Sequence, residues 1–219
     1  LLTPDLKSAI GQAGTLTSLE DLYEKYRPKK KTRASTAIEQ GLKPLADFLM
    51  RSNGQDPLRE AGRYINPEKG IESADQALGG ARDILAQTIS EDSVVRSKLR
   101  QLFTRTAVIS SRVKPSKKEA AQKYKDYFDW TEPAFKAPSH RVLAMMRGQK
   151  EGFLTVHILP DQDQAVGLIE NIWMNKGGPC VSQRKAAVVD AYKRLLSKSL
   201  EKEAVKALKS SADQVAIQV

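Results

Sequence analysis

Apolar residues recur at helical spacing along most of this chain. The clearest stretch begins at Ser73, where Ala77, Leu78, Ala81, Ile84, Leu85 and Ile89 share one side of a 3.6-residue repeat. Gly79-Gly80 interrupts it at a cost of about 1 kcal/mol per glycine relative to alanine, and close approach of a neighbouring helix is the expected compensation. A second helix from Asp92 carries Val95, Leu99, Leu102 and Phe103 inward, and the short connection predicts an antiparallel pair. Thr3-Pro4 reads as a helix start, and Thr17 with Glu20 as a capping box for a helix that Pro28 ends. Further helices are predicted over Ala34–Gln40 with Gly41 as the stop, from Pro44, and from Asp56-Pro57.

In the second half, Ser116 and Glu119 form another capping-box pattern, predicting a helix to Phe128 with Ala120, Tyr124, Tyr127 and Phe128 inward. Pro133 and Pro138 mark a loop, after which Ser139 caps a helix over His140–Arg147 that Gly148 ends. Phe153–Leu159 alternates as a strand, with Leu154, Val156 and Ile158 on one face. A strand needs a partner, and Ala107–Val113 is the one weak candidate. Helices are predicted over Asp163–Met174, Ser182–Leu196 and from Leu200 onward, with Gly177-Gly178-Pro179 as a break. No internal repeat, low-complexity tract or long heptad run is visible.

Charge sharpens this picture. Of 219 residues, 36 are Lys or Arg and 26 are Asp or Glu, a net +10 that favours a polyanionic partner. Six of the nine residues Lys25-Tyr-Arg27-Pro-Lys29-Lys30-Lys31-Thr-Arg33 are basic and none is acidic. Pro28 holds this strip extended, so that it can follow successive phosphates of RNA or DNA. Tyr23 and Tyr26 match the apolar helix face, which favours a core role over base stacking. A second candidate is the predicted helix start at Ser139 with Arg141, followed by Arg147 and Lys150. Free N–H groups at a helix start suit phosphate, and an ordinary capped helix is the equal alternative. Lys114, Lys117 and Lys118, beside Glu119, read as a solvated face.

Catalytic and metal chemistry find no support. His140 and His157 lack spaced acid or thiol partners, and the single cysteine, Cys180, has no pair for zinc or a disulfide. Asp126 and Asp129 lack supporting carboxylates, and no Gly-rich phosphate loop or nucleophile elbow occurs. A non-enzymatic protein without cofactor, metal or small-molecule substrate is expected. No run approaches the roughly 18 apolar residues of a membrane span, so no membrane partner is expected. Leu1-Leu2-Thr3-Pro4 has no signal-peptide layout and reads as the cut start of a larger protein.

The run Leu19-Glu-Asp-Leu-Tyr-Glu-Lys-Tyr-Arg-Pro-Lys-Lys-Lys-Thr-Arg-Ala34 closely resembles the LEDLY…YRPKRKTRA signature of Tex-type transcription accessory proteins. Gly41-Leu42 with Pro44-Leu45-Ala46, Ala77–Ile84, Asp126-Tyr127-Phe128, Pro138–Ala144, Asp190–Leu196 and Ala212–Ile217 continue it in order. The resemblance implies a fragment of a larger, cytoplasmic, mainly helical protein associated with transcription and nucleic acid. Its source is expected to be a bacterium, with a plastid as the alternative. The family's RNase H-like, helix-hairpin-helix and S1-type domains would follow. The expected fold class is mainly α, a multi-helix array with a helix-turn-helix-like part and one short β element. The expected division is an N-terminal helical part over 1–66 and a central helical region over 67–219. The expected role is a scaffold with auxiliary, charge-based nucleic-acid contact, the alternative being a protein-interaction scaffold docking on transcription machinery.

Overall fold

The computed structural model describes residues 10–11, 31–51, 54–174 and 177–217. The chain divides into two compact units, Leu1–Thr32 and Arg33–Val219. In the first, Ile10 and Lys31 are exposed. The helices expected at Thr3-Pro4 and from Thr17 to Pro28 lie outside the described residues.

The second unit is mainly α-helical, as the patterning predicts. Helix α1 (Arg33–Glu39) stops at Gly41, whose positive φ of 88° suits glycine. Helix α2 (Lys43–Met50) opens with Pro44 in its first turn. At α3 (Pro57–Ala61), the Asp56 carboxylate accepts from the Leu58 N–H at 3.1 Å. Helix α4 (Ala74–Glu91) is capped by Ser73, whose hydroxyl accepts from the Gln76 N–H at 3.2 Å. Asp92 caps α5 (Ser93–Thr106), accepting from the N–H groups of Val94 and Val95 at 2.8 and 3.1 Å. Its second oxygen accepts from Trp173 Nε1 at 3.0 Å, tying a later helix to this corner.

The paired glycines of α4 divide their roles. A Cβ on Gly80 would overlap Leu42 Cδ1 and lie 3.2 Å from Ala37 Cβ, so Gly80 is where α1 and the chain entering α2 press on α4. At Gly79 the nearest atom is the tip of Arg82, 3.8 Å away. Gly79→Ala is therefore expected to stabilise the protein by up to about 1 kcal/mol through helix propensity. Gly80→Ala is expected to destabilise it by about 1–2 kcal/mol, because overpacking outweighs the same gain. Urea unfolding of the two variants checks this, and equal effects would contradict the close approach.

Three strands follow, β1 (Val108–Val113), β2 (Asp129–Pro133) and β3 (Leu154–Leu159), antiparallel in the order β2-β1-β3. The expected single β element is thus a small sheet. The weak partner foreseen at Ala107–Val113 does pair with β3, in register Ser110↔His157 and Arg112↔Thr155. Strand β2 lies where a loop was expected; Pro133 is tolerated because it ends an edge strand. Ile109, Leu154, Val156 and Ile158 are buried on the inner face.

The helix expected from Ser116 to Phe128 does not form. Pro115–Lys117 and Gln122–Tyr127 are 3₁₀ turns, Lys114 rather than Ser116 sits at the first start, and no side chain caps it. The reason is closure. The Val113 N–H donates to Phe128 O at 3.0 Å, so the two ends of the connection are neighbours. A straight helix of about 12 residues would carry them about 18 Å apart. Ala121, not Ala120, is the buried alanine, with Tyr124 beside it.

Helix α6 (Ser139–Lys150) also departs from expectation. Pro138 holds the cap position, without a side-chain cap from Ser139. Gly148 does not end the helix. A Cβ there would come within 2.6 Å of Leu154 Cδ1 and 2.9 Å of its Cγ, so Gly148 lets α6 lie against β3. After α7 (Gln162–Trp173), α8 (Val181–Asp190) runs through a π-helical turn (Ala191–Leu196) directly into α9 (Ser197–Ile217). The break expected between Leu196 and Leu200 is absent. Its apolar stripe explains the π turn: Val188, Tyr192, Leu196, Leu200, Ala204, Leu208 and Ala212 are all buried. A four-residue spacing drifts by about 40° per step on an α-helix, and a turn with wider i→i+5 bonds takes up part of that drift. Burial pushes the Tyr192 phenol up to about 12, so it packs as a neutral group.

Two apolar cores result. One joins α1, α2, α3 and the first part of α4 with Ala187 of α8. The other lies among the end of α4, α5, the inner sheet face, α6, α7 and α9. Helices α4 and α8 contribute to both, which makes the unit continuous. Arg96 and Arg100 of α5 pair with Glu203 of α9 at 2.8 and 2.7 Å.

Candidate nucleic-acid interface

Lys25, Arg27, Lys29 and Lys30 lie outside the described residues, while Lys31 and Arg33 are exposed, Arg33 opening α1.

The second candidate is divided by the structure. Ser139 begins α6 and is half-buried. Arg141 is committed locally: its guanidinium lies 5.2 Å from the centre of the Trp130 ring and 3.3 Å from the Glu132 carboxylate. Trp130 Nε1 donates to the same carboxylate at 2.8 Å, so Arg141 fastens α6 to β2. Arg147 and Lys150 are exposed at the other end of α6, a turn or more away.

That far end is where cations converge. The Phe153 N–H donates to Gly148 O and the Lys114 N–H donates to Phe153 O, both at 2.9 Å. These bonds set the exit of β1 and the entry of β3 against the C-terminal end of α6, where a helix dipole favours positive charge. Lys117 Nζ and Lys123 Nζ each lie 5.8 Å from the centre of the half-buried Phe153 ring. Tyr124 packs against that ring with centroids 6.0 Å apart. Lys123 pairs with Glu151 at 2.6 Å. Their hydrogen bond holds the Lys123 ammonium above its ordinary range and the Glu151 carboxyl below its own. The positive field of Arg147 adds to the effect on Glu151. Among the described residues, no carboxylate lies within ion-pair distance of Lys114, Lys117, Arg147 or Lys150.

Lys114 and Lys117, read from sequence as a solvated face, thus belong with Arg147 and Lys150 to one cationic end of the unit, where Lys117 and Lys123 lie over an aromatic ring. No local signal marks this, because the two pairs lie thirty or more residues apart and meet only through β1–β3 pairing. Among the described residues, no group of three or more His, Cys, Asp or Glu side chains is placed to hold a metal ion. His157 Nδ1 is 2.9 Å from Glu201, whose carboxylate also accepts from the Ile158 N–H at 3.0 Å and so covers the edge of β3. Burial pushes the Cys180 thiol up, the Arg184 charge opposing and the Asp56 charge adding. Among the described residues no helix is long and apolar enough to cross a membrane.

Fold and surface together define a helical module built round a small antiparallel sheet, with a cationic end. The chain belongs to the Tex central region-like family, whose model matches residues 52–219. It is 39% identical over 180 residues to Protein tex of Bordetella pertussis, covering 82% of this chain and 22% of that protein. It is 37% identical over 228 residues to Protein YhgF of Escherichia coli, covering all of this chain and 30% of that protein. The Transcriptional accessory protein Tex of Neisseria gonorrhoeae is 37% identical over 229 residues, with all of this chain and 29% of that protein covered. The chain spans less than a third of the length of these relatives. The resemblance read from the Leu19–Ala34 run and the later blocks is borne out.

Proposed function

We propose that this chain is a non-catalytic helical module of a Tex-like transcription accessory protein, serving as scaffold and as an auxiliary charge-based contact for RNA or DNA. The observation that carries the reading is the convergence of Lys114, Lys117, Arg147 and Lys150 at one end of the unit. Cations without an ion-pair partner displace counterions from a phosphate backbone whatever its sequence. The similarity to the gonococcal transcriptional accessory protein Tex supports a setting in transcription. The buried, upshifted thiol of Cys180 is a poor nucleophile, consistent with a module without chemistry of its own.

Affinity for oligonucleotides across a salt series tests it. The slope of log K against log salt is expected to lose up to about 2 units on single strands when Lys114, Lys117 and Arg147 are all changed to glutamine. Changing Lys29, Lys30 and Lys31 in the same way measures the share of the basic strip. Binding with a slope that neither set of changes moves would overturn the reading.

A further inference from the structure

The sheet has two edges, and side chains close only one of them. Which backbone groups face outward follows from the bonds at the strand ends. The Val113 N–H donates to Phe128 O at 3.0 Å and the Ala134 N–H to Ala107 O at 2.9 Å. Antiparallel pairing alternates, so Trp130 and Glu132, in phase with these two, turn their N–H and C=O toward β1. Asp129, Thr131 and Pro133 turn theirs away. By the same alternation, the bond from the Lys114 N–H to Phe153 O leaves the backbone groups of Val156 and Ile158 on the outer edge of β3. There Gln149 Nε2 donates to Val156 O at 3.3 Å, and the Ile158 N–H donates to the Glu201 carboxylate at 3.0 Å. Strand β2 has no such cover. Among the described residues, nothing hydrogen-bonds to the outward N–H and C=O of Asp129 and Thr131, and both residues are exposed. Pro133 has no N–H and opens the 3₁₀ turn Ala134–Lys136, which ends the strip.

We propose that this edge of β2 receives one short, extended, uncharged segment of a protein partner, which adds as a further strand beside β2-β1-β3. The open groups are donor and acceptor pairs about 7 Å apart. An extended backbone presents the same pairs at the same spacing. A phosphate offers acceptors alone and leaves the C=O groups without a donor. The charges along β2 already cancel, Asp129 against Arg112 at 2.7 Å and Glu132 against Arg141 at 3.3 Å, so an uncharged segment fits. Half-buried Trp130 lies in the alternate phase, its ring centre 6.2 Å from that of Tyr127, and an apolar side chain of the added strand packs beside it. The shortness of β2 and the position of Pro133 confine the addition to a few residues, which keeps the edge from templating longer pairing. The proposal draws nothing from the charge-based reading, and it gives the scaffold role a physical means.

The probe is the peptide acetyl-Val-Thr-Val-Thr-Val-amide, titrated into the whole chain and followed by amide NMR with hydrogen exchange. Binding is expected to saturate below about 1 mM and to slow exchange of the Asp129 and Thr131 N–H groups by about tenfold or more. Methylating the backbone nitrogens of both threonines removes the donors that meet the β2 carbonyls, and it is expected to weaken binding by about tenfold or more. Methylating the central valine nitrogen, which faces away from β2, is expected to change binding by less than about twofold. Thr131→Pro removes an outward N–H without costing a bond to β1, and it is expected to weaken binding by about tenfold or more. Thr131→Val, the matched control, is expected to bind as the wild-type chain does. If Thr131→Pro fails to fold, the two methylated peptides decide alone. No saturation by about 1 mM, equal effects of the two methylations, or wild-type affinity in a folded Thr131→Pro overturns the proposal. An oligouridylate that protects the same two N–H groups in the peptide's place also overturns it.

Discussion

Ile158→Ala is expected to lower the unfolding free energy by about 3–4 kcal/mol, the largest single effect foreseen for this chain. Ile158 has no exposed surface, and with Val156 and Leu154 it forms the inner face of β3 against α6 and α9. Truncation removes buried apolar surface, and the sheet cannot collapse into the gap because Gly148 already brings α6 against Leu154. The contrast with its neighbour on the strand makes the test specific. Thr155→Ala, on the exposed face, is expected to cost no more than about 0.5 kcal/mol, the scale of a surface substitution. Urea denaturation of both checks the assignment of faces. A one-residue slip of β3 would exchange the two effects.

Arg194→Ala is expected to cost about 1–3 kcal/mol at pH 7. Arg194 Nε donates to both Asp190 oxygens at 3.0 Å, and its terminal nitrogen donates to Asp83 Oδ1 at 3.0 Å. The group fastens the π turn to α4. Removing the cation leaves two carboxylates facing each other, which in a fully buried site costs more than the pair contributes. Here Arg194 and Asp83 keep 26% and 25% of their side-chain surface, so the figure is set below the fully buried range. The deficit should depend on pH. Burial pushes the Asp83 carboxyl above its ordinary range, and the Arg194 charge pulls it back. Without Arg194 it rises further, so the folded state takes up a proton at higher pH than the unfolded chain does. The deficit is therefore greatest at neutral pH and shrinks as pH falls through the carboxylate range. Denaturation at pH 7 and at about pH 4, near the unperturbed aspartate value, measures the shrinkage. Asp83→Asn in the Arg194→Ala background should recover part of the loss at pH 7. A deficit equal at both pH values and untouched by Asp83→Asn would show that Arg194 acts by packing alone.

The surface chemistry was less legible than the helices. Arg141 stands in a plausible phosphate seat when read along the chain, yet Trp130 and Glu132 hold it against β2. Lys117 resembles any solvated lysine until β1–β3 pairing brings Phe153 beneath it. In both cases the deciding partner belongs to another element, and the residue type alone is neutral between binding and structure.

Sequence by itself determined the elements whose signals are local. Ser73 and Asp92 cap α4 and α5 through bonds to residues two or three positions away, and the apolar repeat behind each cap fixes the buried side. Alternation did the same for β3, and the Leu19–Ala34 run carried the family. Only tertiary structure decided where a segment's ends must meet or where a second element supplies the missing force. Asp129–Pro133 became a strand because β1 offered it hydrogen bonds, the 115–127 segment was denied a helix because its ends are joined, and the π turn arose where one long helix must follow a four-residue stripe across both cores. The cationic end has the same origin. Its charges are written in the sequence, but their nearness is a product of strand pairing, because electrostatic strength depends on distance in space and not along the chain.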